Sequence, residues 1–151
     1  MGEETLKIII AVIGIVFLVF LLTSVYFNLT GAQDQKYAEG SMNNIFVKEV
    51  ARINAGEEVN QQGIQIPNPA GWYLFSFTDD KKPNLCSGQN CACICKNILI
   101  NVFDRQLKEC DGKGVCSVIP NLKSFDKIKI ENSGTFISVQ KINGEIVIAR
   151  K

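Results

Sequence analysis

Between Lys7 and Asn28 the chain carries no charged residue. The run Ile8 to Phe27 reads IIIAVIGIVFLVFLLTSVYF. It is about 20 residues long, and at about 1.5 Å rise per residue a helix of that length covers the ~30 Å of a bilayer's hydrocarbon core. Backbone N–H and C=O groups in lipid must be satisfied within the segment, so an isolated span can only be a helix. Lys7 opens the run, and Tyr26 stands near its end, where an amphipathic ring favours the headgroup level. No second stretch of the sequence approaches this length. The expectation is a single-pass chain: a short cytoplasmic N-terminus over 1–7, a transmembrane signal-anchor helix over 8–27, a polar juxtamembrane stalk over 28–40 and a cysteine-rich domain over 41–151.

Two other readings use the same segment. A cleaved secretory signal would use Thr30-Gly31-Ala32 as its small-residue site, but its apolar core is normally ~7–15 residues, shorter than this one. A pilin-like filament subunit would be cut after Gly2, yet no basic residue precedes that glycine. The lysine and arginine counts on the two flanks are nearly balanced, so charge does not fix the orientation.

The cysteines decide it instead. All six lie beyond the apolar run, as Cys86-x4-Cys91-x-Cys93-x-Cys95-x14-Cys110-x5-Cys116. An even count in a small soluble portion indicates disulfides, which persist in oxidising compartments. That places the C-terminal domain outside the cell membrane. Zinc ribbons and iron–sulfur sites want Cys-x2-Cys knuckles, and none is present. The chain has no histidine at all. There is therefore no Ser-His-Asp triad, no Cys–His nucleophile pair, no imidazole metal ligand and no imidazole pH switch. The net charge of +1 offers no global field for nucleic acid.

In an extended strand Cys91, Cys93 and Cys95 project to one face. Neighbours two apart sit about 6.5 Å apart with parallel Cα–Cβ vectors, a poor geometry for a bridge. Cys93 and Cys95 therefore bridge elsewhere. The favoured set is Cys86–Cys91, with Cys93 and Cys95 tied to Cys110 and Cys116 in an order left open.

The rest of the domain shows both periodicities. Ser41 stands as an N-cap, followed by Met42, Ile45, Phe46, Val50 and Ile53 at helical spacing, with Lys48, Glu49 and Arg52 largely off that stripe and Gly56 as the stop. Ile64-Gln65-Ile66 alternates. Trp72 to Phe77 is apolar on both faces, with Tyr73, Phe75 and Phe77 on one and Trp72 and Leu74 on the other, which suits a covered central strand. Trp72, Phe75 and Phe77 are expected in the core. Asp79 to Asn84 reads as an exposed turn. The stretch from Ile98 reads as a strand to about Val102 and then a short helical turn. Phe125 to Ile130 alternates, and Asn143-Gly144 joins two alternating runs into a hairpin.

The spacing Cys86-x-Gly88-x2-Cys91-x-Cys93-x-Cys95, then Cys110-x3-Gly114-x-Cys116, stands on a chain with an N-terminal apolar helix and a Gly71-Trp72-Tyr73-Leu74 strand. In these features the chain resembles uncharacterised single-pass, cysteine-rich archaeal membrane proteins. The resemblance implies location and architecture but no catalytic residue. Gly88 and Gly114 are read independently as turn residues of the cysteine loops.

The fold class is thus α+β: an N-terminal transmembrane helix and a small, mainly antiparallel β domain with one amphipathic helix, stapled by disulfides. The function indicated is structural or binding rather than enzymatic, without cofactor or metal. The partners are the lipid bilayer and other envelope proteins, with no nucleic acid. The alternatives are an extracytoplasmic thiol-redox or soft-metal-handling protein using Cys93 and Cys95, and the pilin-like subunit.

Overall fold

The computed structural model describes residues 2–98 and 103–151. It divides into two compact units, Met1–Gln33 and Asp34–Lys151. The first is helical. Helix α1 runs over Gly2–Gly40 and carries Glu3 and Glu4 in its first turn, where acidic groups oppose the helix dipole favourably. Over residues 8–27 its surface is apolar nearly all round and open: Ile15, Phe20 and Leu22 are each more than half exposed. Such a surface matches lipid and not water. Thr23 returns its hydroxyl to Val19 O at 2.6 Å, so even the polar side chain is satisfied within the helix. This is one helix long and apolar enough to cross a membrane.

The second unit begins inside α1. Residues 28–40, expected as a stalk, are helical throughout, and Ala38 is fully buried. Gly40 is itself in helical geometry, and the chain passes directly into a π-helical turn, Ser41–Phe46, and then α2, Val47–Asn54. Ser41 is therefore not an N-cap. Its hydroxyl donates instead to Asn68 O at 2.5 Å. A helical glycine costs about 1 kcal/mol, and burying the adjacent Ala38, Met42 and Phe46 outweighs it. Gly56, with φ 85°, ends the helix as expected. Its N–H donates to Ile53 O and that of Glu57 to Arg52 O, a paired closure of the last turn.

The apolar stripe faces the core through Met42, Phe46, Val50 and Ile53, while Ile45 is half-buried. Glu49 was expected off the stripe but is buried. Arg52 folds over it, with Nη1 2.7 Å from its carboxylate and Nε 2.6 Å from that of Glu57. The hydrogen bond to Glu57, then the charge of Glu49, raises the Arg52 pKa above its ordinary value.

Among the described residues, seven strands form two antiparallel sheets. β1 (Ile64–Ile66), β6 (Thr135–Ile142) and β7 (Glu145–Arg150) make one, in the order β1-β6-β7. β2 (Tyr73–Phe77), β3 (Cys91–Cys95), β4 (Val115–Val118) and β5 (Ile128–Lys129) make the other, in the order β4-β3-β2-β5. The β6–β7 hairpin turns on Asn143 and Gly144 at φ 52° and 82°, the doubly positive geometry that this dipeptide tolerates. β5 is shorter than the alternation of Phe125 to Ile130 suggests. The Ser76 hydroxyl bonds both the C=O and the N–H of Phe125, replacing the ladder there.

The main core draws on both sheets and on the helix: Phe46 and Ile53, Trp72 and Leu74, Ala92 and Ile94, Ile137 and Ile148. β3 is buried on both faces. Ala92 and Ile94 face this core, and the cysteines face a second cluster with Phe77. That cluster is covered by α3, Phe103–Lys113, longer than the short helical turn expected. The strand expected to reach Val102 lies over 99–102, outside the described residues. Trp72 and Phe77 are core residues, whereas Phe75 is only half-buried, on the flank of the cysteine cluster.

Candidate functional site

Strand periodicity puts Cys91, Cys93 and Cys95 on one face of β3. The register sets Phe77 opposite Cys91, Phe75 opposite Cys93 and Tyr73 opposite Cys95 on one side. On the other side Cys93 lies directly opposite Cys116 of β4. These two are bridged, with Cα atoms 4.1 Å apart. Cys95 instead reaches Cys110 of α3, with a Cα separation of 5.1 Å, and ties the helix to the sheet. Cys86 and Cys91 close a short loop, with a Cα separation of 5.7 Å. The open order is thus Cys93–Cys116 and Cys95–Cys110, and no cysteine is free.

Polar groups outside the motif hold this layer in place. Asp111 of α3 accepts the N–H groups of Asn84 and Leu85 at 2.8 and 2.9 Å, capping the short 3-10 turn Asn84–Cys86. Gln106 accepts the N–H of Ile98 at 2.8 Å and donates to Lys96 O at 2.7 Å. Its amide also approaches the sulfurs of Cys110 and Cys95, at 3.5 and 3.7 Å. Neither residue stands out in the sequence. The only signal is that Gln106 precedes Cys110 by one helical turn.

Gly88 is a turn residue, with φ 74° following Ser87 at φ 51°. Gly114 is a turn residue too, at the bend between α3 and β4, and it has a second role. A Cβ at Gly114 would lie 2.7 Å from Cβ of Cys95 and 2.8 Å from Cys110 O, so the glycine is the space in which that bridge sits. Gly114→Ala should cost about 1–3 kcal/mol by overpacking. Thermal unfolding of the full chain in detergent micelles measures it. A melting temperature equal to that of wild type would show that the helix can move aside.

The sulfurs of Cys86, Cys93 and Cys116 lie within 4.8 Å of one another, with Cys86 and Cys93 at 4.0 Å. The structure therefore brings Cys93 together with Cys86 and Cys116, not with Cys95. Metal coordination and nucleophilic attack both need a thiolate. All three sulfurs are in bridges, and Cys86, Cys91, Cys93, Cys95 and Cys110 are fully buried. In this bridged form the three sulfurs serve as cross-links. The aromatic stripe serves the same layer: the rings of Phe75 and Phe77 are 6.0 Å apart, and Phe77 meets Phe103 edge-on at 6.5 Å. Comparison with protein-family models, with curated proteins and with solved structures finds no match to the chain.

Proposed function

We propose that the chain is a single-pass membrane protein whose disulfide-stapled domain stands outside the cell, in a structural or binding role among envelope components. One observation supports this most directly: every cysteine is bridged and every one lies beyond the apolar helix. Bridges of this density belong to oxidising compartments. No histidine is present, and the buried bridges leave no sulfur nucleophile, which favours a non-enzymatic role. The resemblance to archaeal membrane-anchored proteins points the same way. Protease added to intact cells should digest the chain after Asn28 and leave the segment 1–7 protected. Digestion only after lysis would place the domain inside and remove this reading.

The continuous helical run Gly2–Asn54, apolar in its first part and packed in its last, favours a filament subunit as the second reading. The mass of the intact native protein separates the two. Loss of Met1 and Gly2 together supports the filament subunit.

A further inference from the structure

β7 is the outer strand of its sheet, and its pairing with β6 leaves one side open. Ile146 turns its backbone to that side. Its N–H donates to Asn121 O at 2.7 Å, and its C=O accepts the N–H of Lys123 at 2.9 Å. Leu122 thus lies parallel beside it. Residues two apart in a strand direct their backbone groups to the same side. Ile148 and Arg150 therefore present theirs outward as well, and no backbone group among the described residues pairs with them there.

The segment that covers Ile146 does not continue along β7. It turns away to pair with β2 as β5. A cleft of about 400 Å³ opens between the two. Ile128 and Ile148, both buried, and the half-buried Tyr73 line its depth. Lys127, Lys129 and Arg150 bring three cations to it, against the carboxylate of Asp126 in the lining and that of Glu131 beside Arg150. Lys127 Nζ stands 5.6 Å from the centre of the Tyr73 ring and 3.2 Å from Asn97 Oδ1. Arg150 lies 3.8 Å from Glu131, at the limit of an ion pair.

We propose that this cleft takes an extended acidic peptide segment of a partner protein. The visiting strand continues the ladder at Ile148 and Arg150, where the chain's own segment leaves it after Lys123. An open strand edge supplies main-chain hydrogen bonds at strand spacing, which a small anion cannot use in register. The lysines select carboxylate side chains. Such a partner gives the binding role proposed above its chemical class, and its recognition does not depend on which side of the membrane the domain occupies.

The full-length protein in detergent micelles is titrated with a labelled, end-blocked heptapeptide of alternating glutamate and valine. Binding is expected, and the lysine–valine counterpart should bind on the order of tenfold more weakly or not at all. Lys127→Glu combined with Lys129→Glu should lower the affinity for the acidic peptide on the order of tenfold. Arg150→Pro separates the backbone from the charge. It deletes one outward N–H that β6 does not use, a position where an edge strand tolerates proline. Relative to Arg150→Ala it should lose a further ~3- to 10-fold. A glutamate-rich peptide with proline at alternate positions keeps the charge, cannot pair as a strand and should bind far more weakly. It provides the same comparison if Arg150→Pro fails to melt like wild type. No binding of the acidic peptide at millimolar concentration overturns the proposal. Equal binding of the proline-interrupted peptide, or equal affinities for the two Arg150 variants, overturns strand pairing.

Discussion

Replacing Cys93 and Cys95 together by serine should make the domain far more sensitive to protease than the wild type and lower its abundance sharply. The two residues belong to different bridges, so the double change opens Cys93–Cys116 and Cys95–Cys110 at once. A native bridge in a small domain contributes about 2–5 kcal/mol. Losing both is comparable with the whole ~5–15 kcal/mol that holds a domain folded. The serine hydroxyls would also stand at fully buried positions among sulfurs and phenyl rings, with poor hydrogen-bond partners. Abundance and trypsin resistance of the variant beside wild type measure the effect. A redox or soft-metal role for this pair predicts the reverse: a normally folded, normally abundant protein that has lost one activity. Wild-type resistance in the variant would favour that chemistry.

Phe46→Ala is expected to cost about 3–5 kcal/mol, the upper range for an apolar truncation. Phe46 is fully buried and lies in the same core cluster as Ala38, Met42 and Val50. Its removal leaves a void where the π-helical turn packs on β1 and β4. The shift of the urea midpoint of the full chain in micelles reads the cost, at unchanged slope. Phe136→Ala is the internal control. That ring is 47% exposed, and its loss should cost less than about 1 kcal/mol. Equal shifts for the two variants would show that the helix is not part of the cooperative core.

Some elements were legible in the sequence because one local rule decided them. Asn143-Gly144 needs positive φ at both positions and has it. The three alternating cysteines required a strand face, and β3 supplies one. Trp72 to Phe77 is apolar on both sides because Trp72 and Leu74 face the main core and Phe77 the cysteine cluster, while Tyr73 and Phe75 on that second face are only half-covered. Features set by distant partners were not legible. Gly40 and the polar run before it suggested a break, but packing of Ala38 and Met42 keeps the helix continuous. Glu49 reads as a surface residue until Arg52 and Glu57 are placed around it. β5 is cut short by a hydroxyl from Ser76 on another strand. The order of the last two bridges depended on the register of β3 against β4, which spacing alone does not contain. Gly114 resembles any turn glycine until the Cys95–Cys110 bridge is seen filling the space beside it.

The placement of the bridges also sets how the domain answers a mechanical load. Suppose the apolar helix is held and the chain is pulled at Lys151. β7 pairs only with β6 along most of its length, so it can peel away residue by residue. The stretch from Cys86 to Cys116 cannot follow. Tension there runs through the sulfur bonds Cys86–Cys91 and Cys93–Cys116 and bypasses the two loops they close. At about 3.4 Å per residue, these loops withhold roughly 80 Å of chain from extension. A stretched domain would therefore lengthen at its two ends and stop short in the middle. That shortfall in contour length can be read from a single-molecule pull with and without reductant.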